Sequence, residues 1–130
     1  MDPIVHFEIP VSDLEKARTF YGSIFGWNLQ DWPMPDGSKY IGVHTTPIDE
    51  KTRQPLKVGA INGGIMQKTA VAKAPIFAVN VSSIDEKVKM VEKAGGKVVM
   101  PKMDMMGMGF YAYVNDPEGN TVGLWEDVKK

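Results

Sequence analysis

A chain of 130 residues, 43% of them hydrophobic, is long enough for one domain with a proper core. Its 15 basic and 16 acidic residues leave a formal charge of -1, which gives no electrostatic reason to expect a nucleic acid or an acidic membrane as partner. The absence of cysteine excludes disulfides, thiolate chemistry and cysteine-ligated metals.

The N-terminus, Met1-Asp2-Pro3, lacks the basic-then-apolar pattern of a signal peptide, and no apolar run approaches the roughly 18 residues of a membrane helix. A cytoplasmic protein without membrane contact is therefore expected. Residues 4–11 alternate with period two, placing Val5, Phe7, Ile9 and Val11 on one face of a strand and His6 and Glu8 on the other. Ser12-Asp13-Leu14-Glu15 has the capping-box form, with Ser12 as the cap. Leu14, Ala17, Phe20 or Tyr21, and Ile24 then recur at helical spacing as a buried stripe, and Gly26 stops the helix. Strands are predicted over 27–32 and 40–45, separated by the turn-rich Pro33-Met34-Pro35-Asp36-Gly37. A polar, proline-punctuated loop over 46–58 leads to a fourth strand over 59–67 containing Gly63-Gly64.

A shift of seventy residues repeats this pattern. Phe7, Ile9, Val11 and Ser12 fall on Phe77, Val79, Val81 and Ser82; Gly26 falls on Gly96, Asp36-Gly37 on Met106-Gly107, and Tyr40 on Phe110. A second helix over 83–94 buries Ile84, Val88, Val91 and Ala94. The long loop is replaced by the tight turn Asp116-Pro117-Glu118-Gly119, after which residues 121–125 align with 62–66. One domain over 1–130, built of repeats 3–67 and 73–127 with a short linker, follows. The fold class is α+β: tandem β-α-β-β-β units whose bare sheet faces curl into a U-shaped, partly open mixed β-barrel around a concavity.

HFEIPVSDLEKARTFYGSIFGW (residues 6–27) and NDPEGNTVGLWE (residues 115–126) resemble the vicinal-oxygen-chelate superfamily, which includes glyoxalase I, extradiol dioxygenases and bleomycin-binding proteins. The resemblance covers residues 3–127 and implies the fold, which hosts many chemistries. It also implies four metal-ligand positions, one on the first and one on the last strand of each unit. His6 fills the first, whereas Ile76, Gly64 and Gly123 stand at the others and offer no donor side chain. No metal and no other cofactor is expected, with one alternative: Glu8, two residues from His6 on the same face, or a side chain from another subunit, completing a site.

With those positions facing inward, alternation puts His6, Glu8, Asn62, Met66, Asn80 and Trp125 on the cavity side, above a floor eased by Gly64, Ala78 and Gly123. Phe7, Ile9, Ile65, Phe77, Val79, Val122 and Leu124 face the helices. Glu8 is the candidate acid–base group, its carboxylate disfavoured by an apolar bowl, and His6 is its candidate proton partner. The structural alternatives are Glu8 paired with a lysine, arginine or tyrosine, or lying at the seam between units, and His6 held by a main-chain or Glu8 oxygen. Met100 to Met108 holds five of the nine methionines and reads as a lid over an apolar ligand, as rim packing, or as a subunit interface, with Met103 the candidate contact. Tyr111 and Tyr113 stack on a ligand or simply pack. Three functions remain open: a glyoxalase-like lyase or isomerase using Glu8 and His6 on a small carbonyl or vicinal-oxygen compound, a binder of a hydrophobic or aromatic molecule, or a module with a vestigial cavity. The resemblance implies a homodimer.

Overall fold

The alternating residues of the N-terminus form strand β1 (Ile4–Val11), after which helix α1 (Leu14–Phe25) begins. These and the other elements come from a computed structural model that describes residues 1–129; Lys130 of the terminal lysine pair lies outside the described residues. The helix cap is Asp13, whose carboxylate accepts from the Lys16 amide at 3.1 Å. Ser12, expected in that role, lies one residue too early, because β1 runs through Val11 and the first helical residue is Leu14. Gly26 ends the helix in the left-handed region, φ 69°, its amide donating to the Gly22 carbonyl.

Two units divide the chain. The first, His6–Pro75, adds strands β2 (Asn28–Pro33), β3 (Lys39–His44) and β4 (Asn62–Gln67) in the order β2-β3-β4-β1, with β1 and β4 parallel and the other pairs antiparallel. Its core gathers Ala17, Ile41, Val43 and Ile65, with Phe7, Ile9, Leu14 and Tyr21 packed around them. Trp27 stacks on Tyr21 at 5.3 Å between ring centroids and closes that side of the core. Of the expected helical stripe, Tyr21 is therefore the packed member, while Phe20 and Ile24 remain exposed at 51% and 62%.

The second unit comprises Met1–Val5 and the chain from Ile76 on. Its elements are β5 (Ile76–Asn80), α2 (Ile84–Lys93), β6 (Lys97–Asp104), β7 (Gly109–Asn115) and β8 (Thr121–Asp127), with strand order β5-β8-β7-β6. The N-terminal residues join it through the Pro3 carbonyl, which accepts from the Asn80 amide at 2.8 Å, and the Asp2–Lys87 ion pair at 2.9 Å. Ser83 caps α2 as Asp13 caps α1. The buried carboxylate of Glu126 accepts from the Ile84 amide at 2.7 Å and satisfies another donor of the first turn. This core is aliphatic, built on Val81, Ile84, Val114 and Leu124. Phe77, unlike its counterpart Phe7, is exposed; Phe7 has Trp27 beside it at 5.7 Å, and the strand after Gly96 opens with Lys97 instead.

Strand pairing fixes which residues of the two units are equivalent. Glu8 pairs with Gly64 and Ala78 with Gly123; across the next strand Tyr40 pairs with Met66 and Tyr111 with Trp125. The counterpart of Tyr40 is thus Tyr111, at a shift of seventy-one, and not Phe110. Register shifts in the β6–β7 pairing, between Val98 and Met100 and between Met100 and Met103, absorb the extra length of β6.

Candidate functional site

On β1 of the first unit, His6 and Glu8 point to the face opposite Phe7 and Ile9 because side chains alternate along a strand. Beside them, β4 presents Gly64, and beyond it β3 presents Tyr40. With no side chain at Gly64, the Tyr40 ring lies across β4; a Cβ at Gly64 would overlap its hydroxyl. The hydroxyl then reaches β1. It lies 3.0 Å from His6 Nε2 and donates to Glu8 Oε2 at 3.3 Å. A phenol has one proton, so its donation to Glu8 leaves Nε2 as the protonated nitrogen of a neutral His6 ring.

Glu8 is 5% exposed. A tyrosine, one of the partners foreseen for it, is observed. The observed partner of His6 is that same hydroxyl, and neither a main-chain nor a Glu8 oxygen. Burial disfavours the imidazolium and lowers the His6 pKa from 6.5 to about 4, so the ring is neutral near pH 7. The result is a chain of hydrogen bonds from imidazole through phenol to carboxylate, able to pass or hold a proton. Sequence reasoning missed Tyr40. Its signal was a tyrosine standing diagonal to a glycine one strand away, which only the β3–β4 register reveals.

The second unit carries the same construction without the polar partners. Tyr111 lies over Gly123 as Tyr40 lies over Gly64, while Ile76 and Ala78, both buried, take the places of His6 and Glu8. Tyr113 meets Tyr111 edge to face at 5.0 Å between centroids, and Trp125 is 6.2 Å from Tyr111. Trp125 Nε1 and Asn80 Nδ2 both donate to Asp127, at 2.9 and 3.0 Å. Met103 pairs with Tyr111 on β6 and is 44% exposed. The methionine run forms the end of β6 and the tip of the β6–β7 hairpin, where Met108 N donates to Met105 O.

Two other candidates lie on β4 of the first unit. Asn62 Oδ1 accepts from the Thr45 amide at 2.8 Å and from its hydroxyl at 3.2 Å, fixing the end of β3. Met66 is half-buried opposite Tyr40. Among the described residues, no three histidine, aspartate or glutamate side chains converge on a common point. A groove of about 270 Å³ lies on the helix side of the second unit's sheet, lined by Val79, Val91, Val122 and Leu124, and holds none of the candidate residues. No helix among the described residues is long and apolar enough to cross a membrane.

Two β-α-β-β-β units define an α+β protein of glyoxalase type. The chain belongs to the Glyoxalase/Bleomycin resistance protein/Dioxygenase superfamily, whose sequence model matches residues 3–124. It is 30% identical over 122 residues to CFP32 of Mycobacterium tuberculosis, a provisionally named glyoxylase, covering 92% of this chain and 43% of that protein. The chain thus spans under half the length of this curated relative. Among solved structures, the hypothetical protein BH1468 of Bacillus halodurans superposes with a TM-score of 0.69 at 14% identity, covering 99% of this chain and 96% of that one. Methylmalonyl-CoA epimerase of Mycobacterium tuberculosis follows with 0.64 at 18% identity, covering 97% and 88%. At those identities the likeness is one of fold.

Proposed function

We propose that this chain is a small-molecule protein that works without a resident metal, a lyase or isomerase on a small carbonyl or vicinal-oxygen compound, with Glu8, Tyr40 and His6 handling the proton. The observation that carries this reading is the Tyr40 hydroxyl held between His6 and Glu8 on one sheet face. Removing a proton from carbon beside a carbonyl needs a base and a donor for the oxygen that gains charge. Glu8 takes the proton; the C–H electron pair forms the C=C bond as the carbonyl pair moves to oxygen. The Tyr40 hydroxyl turns from Glu8 to that oxygen, held in place by the His6 N–H. Where that carbon carries a hydroxyl, Glu8 returns the proton to the former carbonyl carbon while the hydroxyl proton passes to the former carbonyl oxygen, which completes an isomerisation; return to the same carbon on the same face gives exchange alone. The fold neighbour named as an epimerase supports the isomerase option.

Deuterium exchange at carbon tests this, with 2-oxo acids, hemithioacetals and acyl thioesters each incubated with the protein in D2O and followed by NMR. One class should exchange, unaffected by EDTA, with the rate falling on the order of 100-fold in Glu8→Gln and in Tyr40→Phe. Exchange that survives Glu8→Gln overturns the assignment.

A second reading, a binder of an aromatic or hydrophobic molecule, draws on the Tyr111–Tyr113–Trp125 group in the second unit. Stoichiometric quenching of tryptophan fluorescence by a ligand that undergoes no exchange would favour it. Either reading carries a cytoplasmic homodimer, for which sedimentation should report a two-chain particle.

A further inference from the structure

The family resemblance implies a metal, and the residues at its four positions do not suit one. His6 alone has a donor side chain; Ile76 has none, and Gly64 and Gly123 have no side chain. The geometry adds something the residue names do not. Neither glycine is a vacant position awaiting a ligand, because in the first unit the Tyr40 ring covers Gly64 and in the second the Tyr111 ring covers Gly123. A Cβ at either glycine would begin inside the phenol of its own unit. A carboxylate on the last strand and the tyrosine across it are mutually exclusive occupants of one volume.

The remaining donor is also engaged. His6 Nε2 faces the Tyr40 hydroxyl at 3.0 Å and, in the tautomer that lets Tyr40 donate to Glu8, carries a proton where a metal would need a lone pair. Glu8 itself receives that hydroxyl. Both first-strand groups of the first unit are thus bound to the phenol that covers the last-strand position.

We propose that Tyr40 occupies the metal's place in this chain, excluding a cation from His6 and Glu8 and offering its hydroxyl as the neutral donor to a ligand oxygen. The ligand class this selects is a compound recognised through a single carbonyl-type acceptor, not one held as a chelate of two oxygens on a cation. In the second unit Tyr111 blocks the equivalent position, beside Ile76 and Ala78. The proposal rests on the reading above only in placing the ligand on the same sheet face, and metal occupancy tests it separately from any activity.

Cobalt(II) is the probe, measured by equilibrium dialysis and by its visible absorption on the purified full chain. The wild type should retain less than 0.1 equivalent after dialysis. The double variant Tyr40→Ala/Gly64→Glu removes the phenol and supplies a third donor beside His6 and Glu8. Circular dichroism reports whether it folds, and it should bind one equivalent at least 10-fold more tightly than the wild type. Tyr40→Ala alone, which takes the phenol away from His6 and Glu8 without adding bulk, should also bind at least 10-fold more tightly. One equivalent of cobalt on the wild type, lost in His6→Ala, overturns the proposal, as does a folded Tyr40→Ala that binds no better than the wild type. Either result leaves the Glu8 exchange assay to be judged on its own.

Discussion

The hydroxyl of Tyr40 stands in the space where a side chain on Gly64 would begin. Gly64→Ala must therefore displace the phenol and break its bonds to His6 and Glu8. Overpacking combined with lost hydrogen bonds should lower stability by about 2–4 kcal/mol. In Tyr40→Ala/Gly64→Ala the methyl has room, so the double variant should lose at least about 1 kcal/mol less than the sum of the singles. Urea denaturation of the four proteins measures this coupling, and additive losses would contradict the shared volume.

His6 links the same cluster to pH. Its folded-state pKa is about 4, below the unfolded 6.5, so between these values the unfolded chain binds a proton that the folded chain refuses. Stability from this group is complete above the unfolded value and declines as pH falls toward 4. The loss is at most about 3–4 kcal/mol. Denaturation midpoints at pH 7 and pH 4.5 should differ more for the wild type than for His6→Gln, and equal differences would remove His6 as the cause.

Met106 lies at φ 55° and Gly107 at φ 76°, at the centre of the β6–β7 turn. Positive φ costs a methionine more than an asparagine, which tolerates the left-handed region. Met106→Asn should raise stability by about 0.5–1 kcal/mol and Met106→Val should lower it, both read from urea midpoints.

Asp13→Ala should cost about 1 kcal/mol by removing the cap of α1, and Ser12→Ala much less. A larger loss from the serine would reverse the assignment made from the helix start.

The alternation of β1, the helix-stopping Gly26 and the placing of His6 and Glu8 together on the face opposite Phe7 and Ile9 were legible because each depends on neighbours in sequence. Tyr40 was not. Its role depends on which residue of β4 lies diagonal to it, and a uniform shift of seventy placed its counterpart at Phe110. Residues inserted within a strand do not announce themselves in a hydrophobic pattern, and β6 absorbs its extra length as register shifts. Ile24 continued the helical stripe on paper, yet Trp27, outside the helix, closes that side of the core. Asn62 and Asn80 faced as alternation required, but their bonds to Thr45 and Asp127 depend on residues brought near only by folding.

The irregular pairing of β6 has a colloidal consequence as well. This strand is the outermost of its unit, the position from which sheets recruit further chains. It contains Pro101, which has no amide hydrogen to give, and carries the local twist that bulges impose. A passing strand finds no straight row of donors and acceptors there, and β2, the corresponding outer strand of the first unit, ends at Pro33. Concentrated solutions of this protein should therefore resist cross-β growth from β6 and from β2.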